Sequence, residues 1–190
     1  MTVILSAVRS PTMLLAAALL GCEVYSSAQP APCPGDPLAA FSFSTPPDGG
    51  PTQAGSTCPF AGSSEVRQSL AFAAEIRVSA DGGAALCRST PSVRQWLGGF
   101  QGDRLDVSVT DTGGGTPSCS CALTVVERVT GDLVRDGGVP VAFSGELTDS
   151  ISPADPAALD GGVPDGGVCG CALPCQIRYA PLLGTAAGGG

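Results

Sequence analysis

Nine cysteines, 17 carboxylates and nine arginines carry the chemistry open to this 190-residue chain, which has no lysine, histidine or asparagine. Those absences close several routes. No Ser-His-Asp or Cys-His machinery can be assembled and no imidazole can ligate a metal. There is no Schiff-base or P-loop lysine, and no acceptor for N-glycosylation. What remains is sulfur and carboxylate chemistry. Cys119 and Cys121 form one close cluster, and Cys169, Cys171 and Cys175 form another. Five thiolates in two clusters are enough ligand for a closed zinc or copper(I) site. In an exporting compartment the same thiols oxidise to disulfides, and that is the reading preferred here. Both clusters precede Ala-Leu, so at least one bridge between them is expected. If Cys119 and Cys121 lie on a strand, their side chains share a face and each reaches a neighbour more easily than the other.

The carboxylates offer less. Glu75, Asp106, Glu127 and Glu146 fall in strand-like segments, but no spacing singles out the pair that a glycan hydrolase needs. Asp-Gly-Gly recurs at Asp48, Asp81, Asp136, Asp160 and Asp165. Calcium loops place several oxygens at alternate positions of one loop. The run Asp160 to Asp165, even with Asp149 and Asp155 nearby, lacks that pattern, and turn formation is the plainer reading. Val107 to Gly113 resembles the apolar-Asp-Thr-Gly element of aspartic proteases, a chemistry that needs two carboxylates sharing a proton. Asp111 is alone in this motif, so it reads as a residue leaving a strand. Arg94, Trp96 and Phe100 are the residue types of an exposed anchor patch, although a lone tryptophan more often sits in a core. No cofactor is expected.

The elements that must position these groups read as strands. Leu70, Phe72, Ala74, Ile76 and Val78 alternate with polar or small residues, which gives a half-buried strand. Asp81-Gly82-Gly83 then reads as a hairpin turn. Arg104 to Thr110 repeats the alternation, and Ala122 to Thr130 is rich in β-branched residues. Val139 to Leu147 follows the turn at Asp136, with Val139, Val141, Phe143 and Leu147 on one face. Phe41 to Ser44 and Cys175 to Tyr179 are shorter candidates, and Ser92 to Phe100 is expected to hold one helical turn. The predicted fold is all-β: an antiparallel sandwich or small barrel with long Gly/Pro loops, stapled by disulfides. Residues 33–183 form this domain, with loops at 45–57 and 150–167 and a disordered tail at 184–190.

Residues 1–21 stand apart. Arg9 precedes the apolar run Met13 to Leu20, too short to span a bilayer and suited to a signal peptide. It ends in Leu19-Leu20-Gly21-Cys22, which resembles the lipobox of bacterial lipoproteins, though Leu20 stands where a small residue is more usual. The resemblance implies that Cys22 is acylated and becomes the mature amino terminus, with residues 22–32 as tether and the membrane as partner. Ordinary cleavage after Ala28, giving a secreted protein, is the alternative. Glu23, in place of the aspartate that favours inner-membrane retention in that family, points to the outer membrane. Removing Cys22 leaves eight candidates for disulfides: Cys33, Cys58, Cys87, Cys119, Cys121, Cys169, Cys171 and Cys175. The abundance of Asp-Gly-Gly beside the lipobox is similar in style to uncharacterised cysteine-containing lipoproteins of myxobacteria, which implies an envelope location and no activity. A net charge of −8 with scattered arginines disfavours nucleic acid.

The expectation is therefore a lipid-anchored envelope protein, structural or interacting with an envelope protein or glycan, with no evident catalysis. A secreted or tethered carboxylate-dependent hydrolase is the first alternative, and a cysteine-cluster metal-binding protein is the second.

Overall fold

The computed structural model describes residues 32–46, 55–61, 66–116, 119, 121–154 and 171–187. The signal peptide, Cys22, the tether as far as residue 31, Asp48, Asp155, Asp160, Asp165 and Cys169 lie outside the described residues. Eight strands follow one another: β1 Asp36–Ser44, β2 Ala71–Val78, β3 Gly83–Arg88, β4 Arg94–Gln101, β5 Arg104–Gly113, β6 Leu123–Asp136, β7 Val139–Pro153 and β8 Cys175–Ala186. Each pairs antiparallel with its sequence neighbour, and β1 pairs with β8, so the sheet closes into a barrel. Closure removes the exposed edges that an open sheet would leave. Of the two architectures expected, sandwich or barrel, the barrel forms.

Turn chemistry explains one end. At Gly137 and Gly138, φ is +56° and +86°, the two consecutive left-handed residues that a tight two-residue hairpin demands. Gly102 and Gly82 serve the β4–β5 and β2–β3 turns, with φ of +65° and +83°. At the opposite end the connections are long: 45–70, 89–93, 114–122 and 154–174. This end is the mouth of the barrel.

Eight strands enclose a space that side chains just fill, and here they fill it. Trp96, Tyr179, Phe41, Phe43, Phe143, Ile76 and Leu86 are among the fully buried residues. Phe43 stacks on Phe72 at 5.1 Å and meets the edge of Phe143 at 5.4 Å, and Phe72 stacks on Trp96 at 5.9 Å. Gly131 and Gly145 face each other across β6 and β7. A Cβ on either would come within 2.5 or 2.8 Å of the Phe143 ring, so the glycine pair makes room for that ring.

Several expectations are corrected. Ser92 to Phe100 is not helical: β4 takes it over from Arg94, with Trp96 inward against Leu86 and Leu97 outward. Gly98 and Gly99 hide that alternation in the sequence. Trp96 is 1% exposed, so no exposed anchor patch exists there. β6 continues to Asp136 and β7 to Pro153, beyond the expected limits of Thr130 and Leu147. A bulge between Val134 and Arg135 shifts the alternation of β7, so Val139 and Val141 face outward while Phe143 and Leu147 face inward. β8 runs to Ala186, into the segment expected as a tail, because Gly184 and Thr185 pair with both β1 and β7. Cys119 and Cys121 are not on a strand. They precede β6, where Cys119 bridges to Thr116.

Candidate functional site

β1 ends at Ser44, so the first half of β8 has no strand beside it on that side. The connection 45–70 supplies the missing edge. Thr57 N and Cys58 N donate to Gln176 O at 2.8 and 3.2 Å, and Gln176 N and Arg178 N donate to Thr57 Oγ1 and Ser56 Oγ at 2.9 and 3.0 Å. A Cys58–Cys175 disulfide locks this edge. Cys33 pairs with Cys87, and Cys119 pairs with Cys171, a bridge between the two sequence clusters. Cys121 is also disulfide-bonded. The described cysteines are therefore oxidised and present no thiolate to a metal. Among the described residues no three metal-ligating side chains converge.

The same loop carries Arg67 over the mouth, where the inward faces of the strands turn from apolar to charged. Arg88 continues the inward face of β3 from Leu86, and Arg94 lies opposite it on β4. Glu127 follows the inward period of β6 with Val129, and Asp149 that of β7 between Leu147 and Ile151. Glu127 and Asp149 are direct cross-strand partners. Their side chains are only 3% and 10% exposed. Two carboxylates this close and this dry need cations. Arg67 Nη2 donates to Glu127 Oε2 at 2.5 Å and to Asp149 Oδ2 at 3.3 Å, and Arg94 Nε donates to Glu127 Oε1 at 2.9 Å. Arg94 also pairs with the exposed Asp111 at 2.5 Å, so the Asp-Thr-Gly aspartate is an ion-pair partner on the rim.

Sequence reasoning found Glu127 but could not separate it from Glu75, Asp106 and Glu146. Those three point outward and pair with Arg77, Arg128 and Arg178 respectively. Of the Asp-Gly-Gly aspartates, Asp81 serves its hairpin by accepting from Gly83 N at 3.2 Å.

The guanidinium groups of Arg88 and Arg94 lie 5.8 and 5.4 Å from the centre of the Trp96 ring, and that of Arg67 lies 5.7 Å from Tyr179. These cation–π contacts help hold them at the mouth. Together with Asp111, Glu127 and Asp149 the three arginines line a cavity of about 390 Å³. Burial, then the nearby Asp149 charge, pushes the Tyr179 hydroxyl up to about 12. For Arg67 burial works against the charge, but Glu127 and Asp149 outweigh it and hold the guanidinium above its ordinary value.

Asp149 is pushed up to about 6, chiefly by burial and then by Glu127, with Arg67 opposing. A raised folded-state value means that the folded protein holds this proton where the unfolded chain has released it. Stability from Asp149 is thus greatest below the ordinary carboxylate range and falls as pH rises from about 4 through 6, by about 3 kcal/mol at most. Asp149→Asn, which is neutral throughout, is expected to flatten that slope. Urea unfolding at pH 4, 5, 6 and 7 checks this, and parallel curves for the two proteins would contradict it.

No protein-family model, curated protein or solved structure matches this chain.

Proposed function

We propose that this is an exported, lipid-anchored protein of the cell envelope, at the outer membrane, whose stapled barrel is a recognition module presenting its charged mouth. The observation that carries the proposal is the oxidation of Cys33, Cys58, Cys87, Cys119, Cys121, Cys171 and Cys175. Disulfides persist outside the reducing cytoplasm; these seven and Cys169 make eight cysteines, an even number that sets Cys22 apart as the one available for acylation. The filled barrel interior supports recognition at the mouth rather than within the barrel.

Intact mass spectrometry of the protein recovered from its own envelope tests this. The expected product begins at Cys22 and carries a thioether-linked diacylglycerol and an N-acyl chain. Cys22→Ala is expected to lose that mass and leave the membrane fraction, since stable anchoring needs more than one acyl chain. A soluble product beginning at Gln29 contradicts the anchor and favours secretion after Ala28.

One observation favours a carboxylate hydrolase: Glu127 and Asp149 are paired acids, and Asp149 is poised near neutrality. Against it, both oxygens of Glu127 are engaged by arginines, which leaves no free base beside the acid. Cleavage of envelope glycan that is abolished by Asp149→Asn would reverse this preference.

A further inference from the structure

Two groups at the mouth are incompletely satisfied. Asp149 Oδ1 is buried and has no hydrogen-bond partner, although the carboxylate lines the cavity. Arg67 reaches only its other oxygen. A buried acceptor left unmade is costly, and native proteins leave few of them. Arg88 lines the same cavity and, among the described residues, has no carboxylate partner. It donates only to Ser92, through Nε to the carbonyl at 3.3 Å and Nη2 to Oγ at 3.1 Å. Burial and the neighbouring guanidinium groups of Arg94 and Arg67 hold it below its ordinary value, with Glu127 opposing. The cavity thus has one acceptor wanting a donor and one cation wanting an anion. Its other charges are already paired: Arg67 with Glu127 and with the second oxygen of Asp149, and Arg94 with Glu127 and Asp111.

We infer that the mouth binds a small dipolar molecule, with an ammonium group on Asp149 Oδ1 and a carboxylate on Arg88. This names the ligand class of the recognition module proposed above and rests on that reading. A simple anion would satisfy Arg88 but meet Glu127 and Asp149, and a simple cation would meet three arginines. Only a ligand carrying both charges completes both groups. The cavity's 390 Å³ is at the small end of ligand sites and suits a short molecule. Arg67, with a side chain 45% exposed, is the group that shifts to admit the ammonium.

Trp96 is the sole tryptophan and lies against Arg88 and Arg94, so its fluorescence reports on the site. The test titrates the oxidised full-length protein with glycine, 4-aminobutyrate and 6-aminohexanoate, and separately with butyrate and butylammonium. At least one dipolar probe is expected to change Trp96 emission saturably, binding at least tenfold tighter than either half-molecule. Arg88→Gln and Asp149→Asn are each expected to weaken it at least tenfold, with unreduced melting curves confirming that both variants fold. Butyrate or butylammonium saturating as tightly as the dipolar probes overturns the inference, as does no saturable response to any probe. Because that comparison uses wild-type protein, it stands even if a variant fails to fold. Such a failure with acyl chains present on Cys22 leaves the envelope reading intact. A dipolar ligand bound by a chain that is never acylated retires the anchor and keeps the site.

Discussion

Replacing Cys58 and Cys175 together by alanine is expected to destabilise the barrel by about 4 kcal/mol, lowering its melting temperature by roughly 10 °C. The bridge spans 117 residues, and the stabilisation comes mainly from the freedom it denies the unfolded chain. Cys119–Cys171 already short-circuits part of that loop. The correction is small, because halving a loop changes the closure term by only about 0.6 kcal/mol. For the same reason loop length does not set this bridge above Cys33–Cys87, whose separation is 54. What distinguishes it is position. It fastens residues 56–58 along the half of β8 that β1 leaves uncovered, and it anchors the connection that carries Arg67. The Cys58/Cys175 double variant should therefore lose hydrogen-exchange protection at Thr57, Cys58 and Gln176, while the β6–β7 ladder stays protected. The corresponding loss of Cys33–Cys87 should leave the mouth amides protected. A double variant that melts within a degree or two of wild type would show that the backbone hydrogen bonds seal this edge unaided.

Much of the barrel is local enough to be visible in the sequence. The alternation from Leu70 to Val78, the turn at Asp81 and the strand from Arg104 need only their own residues, because period two on a half-buried strand is a local pattern. The link between the cysteine clusters was also visible, in the repeated Cys-x-Cys-Ala-Leu. Closure was not: pairing β1 with β8 joins residues more than a hundred positions apart, and no local rule encodes it. The site was half hidden for an instructive reason. Thr148-Asp149-Ser150 looks like the end of a strand, yet Leu147, Asp149 and Ile151 keep the inward period of two, as do Val125, Glu127 and Val129. A carboxylate on the apolar phase of a strand was the available signal, and it marks both members of the pair. Arg67 had no such signal. It lies in a loop without periodicity, and a long-range disulfide and a borrowed sheet edge fix its place.

Glu127→Gln is expected to destabilise the protein by about 3 kcal/mol, although it changes the side chain's shape hardly at all. Glu127 is the hub of the mouth. Its two oxygens accept from two different guanidinium groups, Arg67 at 2.5 Å and Arg94 at 2.9 Å, and its side chain is nearly dry. Taking the charge from one member of a buried pair leaves the others uncompensated, typically at 3–5 kcal/mol. The lower end applies because Arg67 and Arg94 still reach solvent. The amide also turns one acceptor into a donor facing an arginine. A second effect separates this from simple loss of packing. Glu127 is, after burial, the largest influence raising Asp149, so in Glu127→Gln Asp149 should titrate below its wild-type value of about 6. The fall in stability between pH 4 and 6 attributed to Asp149 should then shrink in the variant, because the folded and unfolded values lie closer together. Carboxyl-carbon NMR of Asp149 reads the titration directly, and denaturant unfolding across the same pH range reads its consequence. A Glu127→Gln protein that is destabilised while Asp149 titrates as in wild type would mean that the two carboxylates do not share a field, and the mouth would then be two separate ion pairs.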